Sequence, residues 1–360
     1  MEQIKFKVDK LKNFCENVFV KLGFTPDNAD IITDNLITAD LYGIKSHGLQ
    51  RLMRYYNGLK KNSIHVDAKP EIVFETPISA VIDGHSGMGQ VIASFANNLA
   101  IEKAKKVGMA FVTVRNSNHY GIAGYYTKKA CDEGMIAFSM TNTESIAVHT
   151  NSSQALLGSN PIAFAMPAEP YPFWFDAATT VVPRGKLEVY NKAEKPLEQG
   201  WAIGETGEVS TDAAHVLHCI ADKVGTGGIL TLGGNTEAMG SHKGYGFSMI
   251  CELLTSITSF GATSNHHVRK ENQGAGSCHA FIVINPEIFG DTQKMKQNLS
   301  VFLQELRDAK RVDENIPIYT HGEKEFVRYK ENMKKGIDID AKTLKEMIEI
   351  GDALGVELRR

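Results

Sequence analysis

Two short segments contain histidines in settings that suit proton transfer. The first, residues 115–121 with His119 near its centre, follows the apolar run 109–114 and precedes a helical pattern over 122–133. In open α/β folds, ligands bind at the carboxyl ends of strands, and histidine exchanges protons near neutral pH. We therefore predict that His119 is an acid/base residue on a strand-to-helix loop. The alternative is an ordinary histidine in a surface loop.

The second segment places a possible anion-binding residue near another histidine. His47, Arg51 and Tyr55 are four residues apart, so in a helix they would share one face. A guanidinium on that face can hold a carboxylate through two parallel hydrogen bonds. The alternative is that the Ser46-His47-Gly48 turn only caps a helix and that Arg51 is a solvated surface charge.

The elements that must position these residues alternate between strands and helices, which predicts a mixed α/β fold. Residues 190–215 are polar and turn-rich, and we expect a long surface connection there. The predicted helices lie at about 8–22, 25–40, 49–60, 89–107, 122–133, 247–258, 292–308, 321 onwards and 338–354. The predicted strands lie at 80–84, 109–114, 135–140, 162–166, 173–176 and 278–284. Helical segments from both ends of the chain therefore bracket a strand-rich middle.

Bulk properties exclude several functional classes. The chain has 360 residues with 42% hydrophobic content, which is enough for two compact lobes. Its net charge of −3 gives no reason to expect binding to nucleic acid or to a membrane surface. No signal-peptide pattern or run of about 20 apolar residues is present, so we expect a cytoplasmic protein. Five scattered cysteines indicate reduced thiols rather than a disulfide framework.

Familiar cofactor and catalytic motifs are absent from the sequence. The glycine-rich segment 84–89 lacks the GxGxxG spacing and the downstream acid of a Rossmann dinucleotide site. There is no GxxxxGK[ST] phosphate loop, no GxSxG elbow and no HExxH pair. His266 and His267 are adjacent and would point apart, so we expect no metal site. The chain therefore either binds no dinucleotide or binds one in a different architecture.

Taken together, a set of short segments resembles the malate/L-lactate dehydrogenase family, whose members bind NAD or NADP without a Rossmann fold. Each segment is short, but their order and spacing are specific, and the resemblance extends from about residue 8 to 355. The segments are 42–51, 116–121, 157–164, 176–180 with 185–186, 200–202, 242–246 and 321–323. Departures within them are mild: Ala177, Thr180, Ser159 and His321 replace residues that are more usual in the family.

The resemblance implies a specific domain organisation. The expected fold is α/β, with a non-Rossmann NAD(P)-binding twisted-sheet domain and a helical domain built from both chain termini. We place the helical domain at residues 1–75 with 290–360, and the sheet domain, which binds NAD(P) and substrate, at 76–289. Family members are usually dimers, so the resemblance also implies a homodimer with the active site near the domain boundary and the partner subunit.

The resemblance also implies roles for individual residues. His119 and His47 match the two histidines proposed to exchange the proton, and which of them acts stays open. The residues implied to contact or approach the substrate are Ser46, Arg51, Tyr55 and Asn118. The residues implied to bind NAD or NADP are Asp176, Ala177, Ala178, Thr179, His242, Lys243, Gly322 and Glu323.

The implied reaction interconverts a 2-hydroxy acid and its 2-oxo acid, with malate/oxaloacetate or lactate/pyruvate as the leading pairs. The cofactor would carry the hydride, a histidine would carry the proton, and Arg51 would orient the carboxylate. Within the family, ureidoglycolate, sulfolactate, a keto sugar acid or a cyclic imine are alternative substrates. Outside it, a non-catalytic dinucleotide-binding protein and a metal-dependent hydrolase remain alternatives.

Overall fold

The computed structural model describes residues 4–221, 226–267 and 274–359. It is a mixed α/β structure, as the alternation of patterns predicted. The α-helices are α1 (Val8–Lys21), α2 (Pro26–Leu41), α3 (Leu52–Lys60), α4 (Gly89–Val107), α5 (Ala123–Asp132), α6 (Arg184–Lys192), α7 (Ala213–Ala221), α8 (Ser241–Glu252), α9 (Thr292–Arg307), α10 (Glu323–Lys335) and α11 (Ala341–Leu354).

The strands form a large sheet and two small ones. They are β1 (Ile4–Phe6), β2 (Glu71–Glu75), β3 (Ser79–Asp83), β4 (Met109–Ser117), β5 (Ile136–Thr141), β6 (Ala147–Val148), β7 (Ala155–Leu157), β8 (Ile162–Met166), β9 (Phe173–Ala177), β10 (Ala202–Ile203), β11 (Gly228–Leu230), β12 (Ser277–Ile284) and β13 (Ile337–Ile339). The large sheet has the order β2-β3-β4-β12-β5-β8-β9, and the small ones are β10-β11-β6-β7 and β1-β13.

The large sheet is mainly antiparallel. Only the β3–β4 pair among its described neighbours runs parallel, and β12 is inserted between β4 and β5 although it comes late in the chain. Alternate side chains of these strands point to opposite faces. Val112 and Phe281 therefore join the core under α4 and α5, whereas Phe111 and Ile282 pack towards Cys251 at the end of α8.

Two further apolar clusters lie outside this core. One joins residues from α1, α2 and α3 to residues from β13 and α11, so both ends of the described chain contribute to it. The other covers the β10-β11-β6-β7 sheet with α6 and α7.

The observed elements correct the sequence-based expectations in three places. The helix expected at 247–258 begins earlier, at Ser241, and α8 ends at Glu252 before a π-helical segment at Leu253–Ile257. Residues 190–215 are not only a connection, because they contain the end of α6, strand β10 and the start of α7, and Leu197 and Ala202 are buried there. The expected helix at 49–60 is also shorter than predicted. Residues Lys45–His47 and Leu49–Arg51 form two 3₁₀ turns, and α3 starts only at Leu52.

The break before α3 has an identifiable cause. Gly48 takes a non-helical conformation, with φ −87° and ψ −143°. The N–H of Leu49 donates a 2.8 Å hydrogen bond to the buried carboxylate of Asp40, and a Cβ at position 48 would come within 2.3 Å of that carboxylate. His47, Arg51 and Tyr55 therefore do not lie along one regular helix.

Candidate active site

His119 lies just after the carboxyl end of strand β4, on the strand-to-helix loop where the sequence predicted it. The loop between β4 and α5 is held by Asn118, whose amide donates to the carbonyls of Ser86 and Gly87 at 2.8 and 3.0 Å. The Asn118 oxygen accepts from the N–H of Ala275 at 3.2 Å. These bonds occupy both ends of the amide, so in this structure Asn118 positions the loop that carries His119.

Tyr120, the residue after His119, anchors the loop in the hydrophobic core. Tyr120 is fully buried, and its ring stacks on His279 with the ring centroids 4.4 Å apart. The next residue, Gly121, has a φ of +85°, and a Cβ there would lie 1.8 Å from the Asn35 side-chain oxygen. The chain can turn into α5 here only with glycine.

The structure brings the two predicted histidines together. The rings of His47 and His119 stack at a centroid distance of 5.4 Å, although 71 residues of sequence lie between them. The Tyr55 hydroxyl lies 2.7 Å from Nδ1 of His119, and the Ser46 hydroxyl lies 2.9 Å from Nδ1 of His47. Each ring is therefore fixed through one nitrogen, which leaves Nε2 as the remaining nitrogen for a ligand.

Arg51 lies beside this pair and is itself fixed. Its Nε donates a 2.5 Å hydrogen bond to the carbonyl of Ser46. Since that bond uses only Nε, the two terminal nitrogens of the guanidinium stay available for a carboxylate. Ser46, His47, Arg51, Tyr55 and His119 thus form one cluster, which we call the histidine cluster.

Burial and positive charge keep both histidines neutral. Loss of water and then the charges of Arg51 and Arg54 lower the pKa of His47 to about 3. Loss of water, followed by the charges of Arg54, His47, Arg51 and His279, lowers the pKa of His119 well below its usual value. Burial also raises the pKa of Tyr55 to about 12, so its hydroxyl keeps its proton. The cluster therefore suits an anionic ligand, which would offset the positive charges.

The helix that follows the His119 loop, α5, contacts the first of the residues predicted to bind a cofactor. Asp176, at the end of β9, accepts a 2.7 Å hydrogen bond from the N–H of Gly124 in the first turn of α5. Burial raises the pKa of this carboxyl to about 6, against the effect of that hydrogen bond. Thr179 follows, and its N–H and hydroxyl both donate to the carbonyl of Ser159, at 2.9 and 3.1 Å.

Thr179 is hydrogen-bonded to the segment that precedes α8. The N–H of Leu232 donates to the Thr179 carbonyl at 2.9 Å. Leu232 lines a cavity of about 310 Å³ together with His242 and Lys243, which occupy the exposed first turn of α8. Ala177 and Ala178, between Asp176 and Thr179, are partly exposed. The predicted residues at 176–179 and 242–243 therefore belong to one region, which we call the β9–α8 region.

The remaining two predicted cofactor residues lie at the start of α10, on the other side of β9. Gly322 has a φ of +96°, and a Cβ there would lie 2.9 Å from the Cβ of Trp174. The carboxylate of Glu323 pairs with Arg307 at 2.5 Å and accepts a 2.5 Å hydrogen bond from the Thr320 hydroxyl. Glu323 is therefore engaged in an internal ion pair, whereas Gly322 gives the backbone its close approach to β9.

A nucleotide cofactor fits the donor set of the β9–α8 region. The first turn of an α-helix presents free N–H groups and a positive dipole end, which together bind phosphate. At the start of α8 the N–H groups of Ser241 and Lys243 already bond the carbonyls of Thr236 and Gly240. The fit therefore depends on the helix dipole and on the exposed Lys243 ammonium and His242 imidazole beside the cavity. Within the described residues, no group of three or more His, Cys, Asp or Glu side chains could hold a metal ion. No described helix is long and apolar enough to cross a membrane.

Sequence reasoning missed three residues around the histidine cluster. Arg54 follows Arg51 by three residues, so a wider search of the predicted helical face would have found it. Asp40 fixes the turn at Gly48 from the preceding helix, and His279 reaches Tyr120 from β12. No sequence signal marks these last two, because only the packing and the register of the sheet place them near the site.

Comparison with known proteins identifies the family. The family model described as malate/L-lactate dehydrogenase matches residues 6–348. The chain belongs to this family.

The relatives resemble the chain over almost its whole length. Malate dehydrogenase of Pyrococcus horikoshii is 41% identical over 98% of this chain and 96% of its own. L-sulfolactate dehydrogenase of Methanocaldococcus jannaschii is 36% identical over 98% of both chains. The crystal structure of malate dehydrogenase from Entamoeba histolytica covers 100% of both chains with a TM-score of 0.95 and 36% identity. As a member of the family, the protein is a 2-hydroxyacid dehydrogenase.

Proposed function

We propose that the protein is an NAD(P)-dependent dehydrogenase that interconverts malate and oxaloacetate. The observation that carries the proposal is the contact between Tyr55 and His119 beside Arg51 in a partly buried, positively charged cluster. The names of the relatives at 41% and 36% identity support a malate-like substrate. Sulfolactate is the second candidate, because a sulfolactate dehydrogenase is 36% identical and its substrate also carries two acidic groups.

In this proposal His119 transfers the proton of the substrate hydroxyl. Its Nε2 faces the substrate, because Tyr55 holds Nδ1 at 2.7 Å. A tyrosine hydroxyl both donates and accepts hydrogen bonds, so Tyr55 can hold the ring in its neutral and its protonated form. Neutral His119 accepts the proton during oxidation, and protonated His119 returns it during reduction. His47 stacks on His119 and is the alternative proton carrier.

Arg51 and Ser46 bind and orient the substrate. The free terminal nitrogens of Arg51 match the two oxygens of the carboxylate next to the reacting carbon. The Arg51–Ser46 hydrogen bond fixes this guanidinium before the substrate arrives, so little conformational entropy is lost on binding. Asn118 contributes by holding the His119 loop.

The cofactor residues of the proposal lie in the β9–α8 region and at Gly322. When bound, NAD or NADP supplies the hydride chemistry that no side chain can provide. Lys243 and the first turn of α8 would hold a phosphate, with His242 beside them. Residues 176–179 would lie along the cofactor towards the histidine cluster. The ion pair of Glu323 with Arg307 makes Glu323 a support for the α10 start in this arrangement.

The same proposal includes the domain organisation, the oligomeric state and the location. Residues 1–75 with 290–360 would form the helical domain and 76–289 the non-Rossmann sheet domain, which the cluster shared by both chain ends supports. The boundary at 75 needs one correction, because strand β2 (Glu71–Glu75) pairs with β3 and so belongs to the large sheet. A homodimer is supported by the exposed apolar residues of α8 and the turns that follow it, which are Phe247, Ile250, Leu253, Ile257 and Phe260. We further propose that the enzyme acts in the cytoplasm, and light scattering of the pure protein tests the dimer.

A substrate panel tests the proposed function. The pure protein is mixed with NADH or NADPH, and the loss of cofactor absorbance is followed with oxaloacetate, sulfopyruvate, pyruvate, diketogulonate and a cyclic imine. We expect rapid oxidation of one cofactor with oxaloacetate. Rapid turnover of a different compound would replace malate as the substrate. Cofactor binding without turnover of any compound would favour the non-catalytic alternative, and activity lost on chelation would favour metal-dependent chemistry.

A further inference from the structure

The histidine cluster has a second arginine at its edge that the implied reaction does not use. Arg54 lies in α3 directly before Tyr55, the residue that contacts His119, and three residues after Arg51. Residues three apart on a helix have Cβ atoms about 5–6 Å apart. Arg51 is only partly exposed and bonded to Ser46, whereas Arg54 is exposed. Arg54 is thus the exposed neighbour of Arg51 in sequence, and its charge acts on both His119 and His47.

The charge distribution around the two histidines is one-sided. The described side chains whose charges act on His119 are Arg54, His47, Arg51 and His279, and Arg54 is the strongest of them. Arg51 and Arg54 are also the charges that act on His47. All of these groups are basic. A substrate with one carboxylate offsets only one of the two fixed positive charges, whereas a substrate with two acidic groups offsets both.

We propose that Arg54 binds the distal acidic group of the substrate, and so makes the enzyme selective for 2-oxo acids that carry two negative charges. Arg51 holds the carboxylate next to the reacting carbon, and Arg54 receives the second carboxylate or sulfonate at the mouth of the site. This inference rests on the proposed function, and it adds a residue that determines substrate selectivity.

Selectivity of this kind is measured with matched substrates and matched variants. Oxaloacetate is compared with 2-oxosuccinamate, in which an amide replaces the distal carboxylate at almost the same size. Arg54→Gln removes the charge, and Arg54→Lys keeps it. Lys60→Gln removes one positive charge at the exposed end of the same helix and is the control for a general change in charge. For each enzyme, kcat and KM are determined for both substrates with the cofactor saturating.

We expect the wild-type enzyme to prefer oxaloacetate over the amide. Arg54→Gln should lower kcat/KM for oxaloacetate by about 10- to 100-fold, mainly through KM, because a charged hydrogen bond contributes about that factor. Its kcat/KM for the amide should change less than about threefold, since the uncharged amide makes no ion pair with Arg54 that the substitution could remove. Arg54→Lys should retain most of the preference, and Lys60→Gln should retain all of it.

Different results separate the failure of this inference from the failure of the proposed function. If the wild-type enzyme reduces both substrates equally well, or if Arg54→Gln lowers both equally, 2-oxo acid reduction stands and the role of Arg54 is wrong. If the wild-type enzyme binds cofactor but reduces neither these substrates nor pyruvate or sulfopyruvate, the proposed function is wrong and the role of Arg54 falls with it.

Discussion

The histidine cluster and the β9–α8 region differ in how firmly the protein holds their side chains. In the cluster, Tyr55 fixes His119, Ser46 fixes His47 and the Ser46 carbonyl fixes Arg51. In the β9–α8 region, His242 and Lys243 are exposed beside an open cavity. Proton transfer requires groups that are already in place, whereas a cofactor that binds and leaves requires access. We therefore propose that the histidine cluster carries the proton transfer and that the β9–α8 region binds the exposed part of the cofactor.

The largest effect that can test this contrast is the loss of His119. His119→Ala should lower kcat by about 10²- to 10⁴-fold, because general acid–base catalysis contributes that much. Its dissociation constant for NADH or NADPH should change less than about threefold, since no β9–α8 residue is altered. Steady-state kinetics and a fluorescence titration of the reduced cofactor measure the two quantities. Unchanged turnover would remove His119 as the proton carrier and leave His47 as the candidate.

A smaller loss is expected when only the partner of His119 is removed. Tyr55→Phe deletes the hydroxyl that lies 2.7 Å from Nδ1 and keeps the buried ring. We expect kcat to fall by about 10- to 100-fold, the range for one hydrogen bond to a group that becomes charged. Tyr56→Phe, on the same helix, is the matched control and should leave kcat unchanged. Equal effects of the two variants would show that Tyr55 has only a structural role.

The smallest of these effects concerns the β9–α8 region and should have the opposite signature. Lys243→Gln removes an exposed charge at the start of α8. We expect the dissociation constant for NAD(P)H to rise about two- to fivefold, with kcat at saturating cofactor unchanged, because an exposed charge contributes about 1 kcal/mol or less. Lys345→Gln, in α11, is the control. A large fall in kcat with normal cofactor affinity would break the contrast between the two regions.

Much of the framework and the main site residues could be predicted from the sequence. Helix α1 follows its apolar period, and α2 begins after Thr25, whose hydroxyl accepts from the N–H of Asn28 as an N-cap. Strand β4 and the loop with His119 also lie where the apolar run and the polar segment placed them. These features depend on contacts within a few residues, which is why a single sequence reveals them.

The features that escaped prediction depend on contacts that are distant in sequence or on very short elements. The 3₁₀ turns around Gly48 arise because Asp40 takes the Leu49 N–H. Strands β6 and β10 have two residues each, which is too short for a periodic pattern. His279 reaches the site only through the insertion of β12 between β4 and β5. Among the residues that act on the pKa of His119, His279 was therefore the least predictable, whereas His47 and Arg51 were predicted.

Burial and the surrounding positive charges keep His119 neutral until substrate binds. The pH dependence of kcat/KM tests this claim most directly. A lowered pKa means that the neutral ring persists below pH 6.5. Oxidation of the hydroxy acid, which needs the neutral ring, should therefore stay constant from about pH 9 to pH 6. Reduction needs the protonated ring, so kcat/KM for reduction should fall about tenfold for each unit that the pH rises from about 6 to 9. If kcat/KM for oxidation instead decreases as the pH is lowered through about 6.5, and does so in every buffer used, His119 titrates with an ordinary pKa and the claim is contradicted.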